Sequence, residues 1–76
     1  MKKTLAKTLF EEGVLLEAIA TVGINGGYNL AFTKKSTGSD FVYLNTDKNN
    51  IREFKTADAV ISTAKTIGFL KIEFHI

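Results

Sequence analysis

The last residues of the chain alternate between apolar and polar side chains. The apolar positions are Leu70, Ile72, Phe74 and Ile76, and the polar positions between them are Lys71, Glu73 and His75. Because successive side chains of a β-strand point to opposite faces, this pattern predicts a strand with one buried and one solvent-exposed face. We expect it to insert beside an earlier strand, with parallel pairing left open, and to present an edge that a second copy of the chain could join.

A helix is predicted just before this strand. Its apolar residues share one side of the helix and are Ala57, Val60, Ile61, Ala64 and Ile67. Thr56 is a candidate N-cap, and the carboxylate of Asp58 in the first turn favours the helix dipole. Gly68 can adopt the left-handed conformation that ends a helix, and Phe69 can contact the last turn.

A β-hairpin is predicted at Asn25-Gly26, which lies between the strand-like runs Thr21–Ile24 and Tyr28–Phe32. Asn-Gly between such runs is a strong hairpin signal because both turn residues need positive φ. The sequence therefore predicts antiparallel pairing of these two runs.

Further short strands are predicted in the middle of the chain. Tyr28–Lys35 and Phe41–Thr46 favour strands, and the polar, glycine-containing segment Ser36–Asp40 joins them. Asp47–Asn50 forms the next turn, and Ile51–Phe54 follows as another short strand.

Two interpretations compete near the N-terminus. Met1–Glu12 predicts a short helix with Thr4 as a candidate cap, and Gly13 interrupts it. We favour a strand over Glu17–Ile24, because apolar residues alternate at Leu16, Ala18, Ala20 and Val22. A continuous helix over Lys3–Val22 is the alternative, since a helical stripe also fits Leu15, Leu16, Ile19 and Val22.

These elements predict one α+β domain over residues 1–76. We expect a small antiparallel or mixed sheet of four to five strands, with the Thr56–Ile67 helix packed on one face. The short N-terminal helix is expected at an edge of the sheet or on its other face. The chain has 76 residues and no cysteine, so neither disulfides nor thiolate metal sites can support its small core. Self-association of two copies is therefore an expected source of additional stability.

Charge and hydropathy restrict location and partners. No apolar run approaches the roughly 20 residues that a membrane span needs, and the Met1-Lys2-Lys3 start lacks the apolar region of a signal peptide. We therefore expect a cytoplasmic protein without a membrane partner. A formal net charge of +2 is compatible with a polyanionic partner but does not require one.

Few residues suggest catalysis or metal binding. His75 is the only histidine, and an exposed structural role is expected on the polar face of a strand. Gly23–Gly27 lacks the Lys-Ser/Thr pair of a phosphate-binding loop, and Arg52 occupies the position at which an EF-hand loop starting at Asp47 needs glycine. We expect no enzymatic activity, metal, cofactor or small-molecule substrate.

Nucleic-acid binding has positive support. If Leu30 and Phe32 face the helix, alternation places Lys35, Phe41 and Tyr43 on the opposite face of the sheet. Other cations lie near strand ends and in turns, where they can reach phosphates. The predicted nucleic-acid-binding residues are Lys34, Lys35, Tyr43, Lys48, Arg52 and Lys55. Alternatively, Phe41 and Tyr43 are buried under the N-terminal helix or in a dimer interface, and the lysines are only solvated.

The run Phe54-Lys55-Thr56-Ala57-Asp58-Ala59 resembles the strand-to-helix junction of AP2-like arm-type DNA-binding domains of phage and transposon integrases, which read DNA with a three-stranded sheet. The chain also looks like small proteins of plasmids and other bacterial mobile elements, which end in a similar helix and an alternating strand. The resemblance covers about Tyr28–Ile76. It implies a DNA-binding accessory protein.

Two functional hypotheses result. The first is a small accessory protein of a bacterial mobile element that binds DNA through an aromatic and basic sheet face carrying Lys35, Tyr43 and Arg52. The alternative is a homodimeric protein-interaction module with no nucleic-acid or catalytic role, suggested by the exposed edge of the last strand.

Overall fold

The computed structural model describes residues 1–34, 41–46, 48 and 50–75. Within them, two helices and five strands follow one another along the chain. They are α1 (Lys3–Glu11), β1 (Leu15–Val22), β2 (Tyr28–Lys34), β3 (Phe41–Tyr43), β4 (Glu53–Phe54), α2 (Ala57–Ile67) and β5 (Glu73–His75). The predicted α+β class is confirmed, and β1 is a strand rather than the continuation of α1.

The strands form one mixed sheet in the order β3-β2-β1-β5, and β4 also pairs with β2. β1, β2, β3 and β4 pair antiparallel, whereas β5 runs parallel to β1 beside Ile19–Thr21. β5 therefore pairs in parallel with β1, which is the pairing direction that the sequence left open. It lies at an edge of the sheet and does not insert between two strands.

A β-bulge at the start of β1 changes which leucine is buried. Leu15 pairs with Lys34 and Glu17 with Thr33, so Leu16 is the extra residue. Leu15 is 4% exposed, whereas Leu16 is 55% exposed. The alternation predicted from Leu16 is therefore wrong at its first position.

The predicted hairpin joins β1 and β2. Gly26 has φ +86°, and its amide donates to the carbonyl of Gly23 at 3.1 Å. The amide of Gly23 donates to the carbonyl of Gly27 at 2.7 Å, so the turn includes both flanking glycines. β1 ends at Val22 as a result, two residues before the expected end.

The segment between β3 and β4 is less regular than predicted. β3 ends at Tyr43, and beyond it Asn45 forms a single bridge with Ile51. Thr46 closes the turn, because its amide donates to the Asn50 carbonyl at 2.7 Å and its hydroxyl oxygen accepts from the Asn50 amide at 3.3 Å. The predicted Ser36–Asp40 connection, together with Lys35, Asp47 and Asn49, lies outside the described residues.

The ends of α2 match the sequence prediction. The hydroxyl oxygen of Thr56 accepts from the Ala59 amide at 3.2 Å, and Gly68 ends the helix at φ +134°. α1 differs, because Lys2 occupies its N-cap position and makes no side-chain cap. Thr4 lies inside α1, where its carbonyl accepts from the Thr8 hydroxyl at 3.2 Å, so the prediction of Thr4 as a cap is wrong.

Both helices pack on the same face of the sheet. Ala6 of α1 and Val60 of α2 share one buried cluster with Leu30 and Phe32 of β2. The Phe69 ring connects these layers: it stacks on Phe32 with centroids 5.6 Å apart and is tilted against Phe10 at 4.6 Å. The alternative that places α1 on the other face is therefore wrong, and no helix covers that face within the described part of the chain.

The C-terminal alternation does not produce a buried face. Leu70 is 95% exposed, because the chain is still crossing there from the end of α2 to the sheet. Ile72 packs against the core, and the Phe74 ring meets Tyr28 edge-on at 5.7 Å. All three residues of β5 remain exposed because the strand lies at the sheet edge.

Candidate nucleic-acid interface

Tyr43 lies on the open face of the sheet, which is the face opposite the two helices. It pairs with Ala31, which pairs with Ile19, so these three residues share that face. Ala31 and Ile19 are nevertheless 0% and 2% exposed. The buried hydroxyl of Thr33, also on this face, has no hydrogen-bond partner among the described residues. The centre of the open face therefore exposes little side-chain surface that a ligand could contact.

The border of the open face is acidic. Glu17 pairs with Thr33, Glu53 with Asn29 and Glu73 with Ile19, and paired residues share a face. Three carboxylates therefore border the surface that was predicted to bind DNA. Since like charges repel, they oppose the approach of phosphate groups. The predicted Lys35 and the side chain of Phe41 lie outside the described part of the structure.

Arg52 does not share the open face with Tyr43. Its guanidinium carbon lies 5.0 Å from the ring centroid of Phe54, a core residue on the helix side of the sheet. Lys34 also lies on the helix side, because it pairs with the buried Leu15. The structure therefore does not bring Tyr43 and Arg52 to the same face of the sheet.

A cleft of about 580 Å³ lies between the first turns of α1 and the β3–β4 connection, and we call it the basic cleft. Its lining residues come from these two parts of the chain and are Lys2, Lys3, Thr4, Leu5, Thr8, Asn45, Thr46 and Arg52. None of these residues is acidic. The basic cleft therefore combines three cationic side chains with hydroxyl and amide groups.

Hydrogen bonds from Met1 hold the two walls of the basic cleft together. Its ammonium donates to the Tyr43 carbonyl at 3.0 Å and to the side-chain oxygen of Asn45, and its carbonyl accepts from the Asn45 amide at 2.6 Å. Burial, and secondarily the positive charge of Lys34, lowers the pKa of the Met1 ammonium below its usual value of 8.0. The lower pKa therefore reflects mainly the partial burial of this ammonium between the two walls.

Three of the predicted cations gather near the basic cleft. Arg52 lines it, Lys34 acts electrostatically on the Met1 ammonium, and the Lys48 amide donates to the hydroxyl of the lining residue Thr46 at 3.3 Å. Lys55 lies apart, in a depression at the β1–β2 hairpin with Asn25–Gly27 and Glu53. The structure thus brings together only part of the predicted set.

Lys2 and Lys3 line the basic cleft but are not among the residues predicted from the sequence to bind nucleic acid. Their positions at the N-cap and in the first turn of a helix are also typical of ordinary solvated lysines. They become part of a site only because α1 folds back beside the β3–β4 connection. The adjacent lysines at positions 2 and 3 are the sequence feature that could have indicated a cationic site. Nothing in the sequence shows that they lie close to Arg52 in the fold.

Other site types have less support. Within the described residues, no group of three or more histidine, cysteine, aspartate or glutamate side chains is placed to hold a metal ion. The same part of the chain contains no helix with the length and apolar character needed to cross a membrane. Comparisons with models of known protein families, with curated proteins and with solved structures gave no match.

Proposed function

We propose that the protein is a small cytoplasmic accessory protein of a bacterial mobile element and binds DNA through the basic cleft. The observation that carries this proposal is the convergence of Lys2, Lys3 and Arg52 on a cleft whose lining includes no acidic residue. Cationic side chains supply most of the affinity of proteins for the phosphate backbone. The basic cleft replaces the acidic-bordered open face as the surface that we assign to DNA.

The geometry of Arg52 suits a phosphate contact. Its guanidinium group lies over the Phe54 ring, which restricts the side chain before a ligand arrives. A planar guanidinium can donate two parallel hydrogen bonds to a phosphate, whereas the ammonium groups of Lys2 and Lys3 act as mobile point charges. Arg52 therefore positions the phosphate, and the two lysines supply additional attraction.

The hydroxyl of Thr46 provides a neutral donor in the same cleft. Its oxygen already accepts from the amides of Lys48 and Asn50, both at 3.3 Å. Its hydrogen can therefore be donated to a ligand oxygen. Such contacts bind and orient the sugar-phosphate backbone without reading bases, so we expect weak sequence preference.

Fluorescence anisotropy with labelled duplex and single-stranded DNA tests this proposal. We expect affinity to fall with salt, with a slope of about −0.9 on a log-log plot for each duplex phosphate contacted. Arg52→Gln should weaken binding several-fold at low salt and reduce the slope by about 1. Lys65→Gln removes the same charge from the last turn of α2, outside the basic cleft, and should have less than a twofold effect.

Two outcomes would overturn the proposed site. One is absence of binding at low salt, and the other is an equal loss of binding in Arg52→Gln and Lys65→Gln. A Tyr43→Ser variant tests the original open-face hypothesis directly. If Tyr43→Ser abolishes binding while Arg52→Gln does not, the open face binds DNA and the basic cleft does not. Circular dichroism of each variant verifies that it is folded.

A homodimeric interaction module is the second candidate function. It is favoured by β5, whose three residues are exposed and which forms the β1-side edge of the sheet. Exposed strand edges can join other strands through backbone hydrogen bonds. Such self-association is compatible with DNA binding, because the basic cleft is formed by α1 and the β3–β4 connection instead.

A further inference from the structure

We infer that two copies of the chain associate through antiparallel pairing of their β5 strands, with Phe74 of each copy opposite Phe74 of the other. This inference rests on the second candidate function and specifies its partner and register. A two-fold axis through the paired strands relates the copies, so the same surface is used twice. The two sheets join into one continuous sheet.

The edge of β5 has few of the features that prevent strand addition. None of the described strands pairs with its outer side, and Glu73, Phe74 and His75 are all exposed. The chain contains no proline, a residue that many edge strands use to prevent pairing. No strand of the described part of the chain therefore occupies this edge, and the short edge limits how many hydrogen bonds a second copy can form.

The polar side chains of β5 are complementary to a second copy in this register. Antiparallel pairing about Phe74 places Glu73 of each copy opposite His75 of the other. Within one chain, the Glu73 carboxylate and the His75 imidazole already lie 3.2 Å apart on one face of the strand. The same two groups can therefore form cross-strand pairs at both ends of the interface, and the register places no like charges opposite each other.

Phe74 supplies the apolar centre of this interface. It is 37% exposed and contacts the Tyr28 ring edge-on at 5.7 Å on the helix side of the sheet. A Phe74 side chain from the second copy would lie directly across the strand pair, where aromatic rings stabilise a sheet. The dimer therefore covers the Phe74 ring, which is partly exposed to solvent in the monomer.

The same register gives two highly exposed apolar residues a common location. Because β5 runs parallel to β1, the β1–β2 hairpin lies beyond the C-terminal end of β5. In the antiparallel pair, the hairpin of one copy therefore lies towards the start of β5 in the other. Ile24 of the hairpin is 97% exposed, and Leu70 before β5 is 95% exposed. The pairing therefore brings Ile24 of one copy and Leu70 of the other to the same end of the paired strands.

A charge exchange tests the register. The paired segment is short, so we expect weak association, detected by sedimentation equilibrium at micromolar to millimolar protein. Glu73→Lys places two cations near each His75, and His75→Glu places carboxylates opposite each other. Each single variant should weaken dimerisation at least tenfold. The double variant Glu73→Lys/His75→Glu places lysine and glutamate opposite each other and should recover most of the association.

Disulfide trapping gives an independent test, because the chain has no cysteine of its own. Directly opposed residues in an antiparallel pair have Cα atoms about 4.5–5.5 Å apart, which suits a disulfide. Phe74→Cys should therefore form a covalent dimer under mild oxidation. Lys71→Cys, an exposed position just before β5, should stay largely monomeric in the same conditions.

The outcomes separate this inference from the functions proposed above. A monomer at every concentration would overturn both the β5 pairing and the homodimeric module, while DNA binding would be unaffected. A dimer that is trapped by Lys71→Cys but not by Phe74→Cys would overturn the β5 register and retain the homodimeric module. Failure of the charge exchange to restore association in folded protein would also overturn the register.

Discussion

Gly68 meets two separate requirements at the end of α2. Its φ of +134° lies in a region that side chains with a Cβ rarely adopt. A Cβ at this position would also lie 2.5 Å from the nearest ring carbon of Phe10. One residue therefore ends the helix and allows α1 to approach it closely, although only the first role could be predicted from the sequence.

Replacing this glycine should cost more than backbone strain alone. We expect Gly68→Ala to lower the free energy of unfolding by about 2–4 kcal/mol, because strain and displacement of the Phe10 ring add together. Gly13→Ala is the matched control, since Gly13 has φ +77° but open space around its missing Cβ, and it should cost about 1–2 kcal/mol. Urea unfolding of both variants measures the difference, and equal losses would contradict the contact with Phe10.

At the scale of elements, prediction succeeds where the determining interactions are local. The N-cap Thr56, the apolar stripe and Gly68 all act within α2, and its bounds match the prediction. β1 differs because its bulge depends on pairing with β2, which alternation within one segment does not reveal. β5 differs because its alternating residues lie at a sheet edge, where all three residues of the strand remain exposed.

The bulge predicts a large loss of stability on truncation of Leu15 and almost none on truncation of Leu16. Leu15→Ala should lower the free energy of unfolding by about 2–5 kcal/mol, because it leaves a cavity in the core. Leu16→Ala removes the same atoms from an exposed position and should change stability by about 0.5 kcal/mol or less. Thermal and urea unfolding measure both changes. A larger loss in Leu16→Ala would show that the unbulged alternation is correct.

At the scale of the whole molecule, both the core and the candidate site combine distant segments. Phe69 contacts Phe10 near the start of the chain and Phe32 in the sheet. The basic cleft likewise joins Lys2 and Lys3 to Arg52. The sequence predicts that Arg52, Lys34 and Lys48 lie near turns or strand ends. Their common location depends on how both helices pack on one face of the sheet.

The position of Phe69 predicts a large effect on global stability. A domain of 76 residues has a free energy of unfolding of about 4–11 kcal/mol. Phe69→Ala should remove about 3–5 kcal/mol of this and lower the melting temperature substantially. Leu70→Ala changes the adjacent, exposed residue and should leave the melting temperature nearly unchanged. Similar losses in both variants, measured by calorimetry, would contradict the central role of Phe69.

The parallel pairing of β5 with β1 has a consequence during synthesis on the ribosome. The edge of β1 beside Ile19–Thr21 is exposed from the time β1 forms until Glu73–His75 emerge from the exit tunnel. Contacts between such distant segments form late and slow folding. During that interval, a β5 strand from a neighbouring nascent chain can occupy the same position. Crowded translation would then produce domain-swapped molecules, whereas dilute refolding would favour closure within one chain.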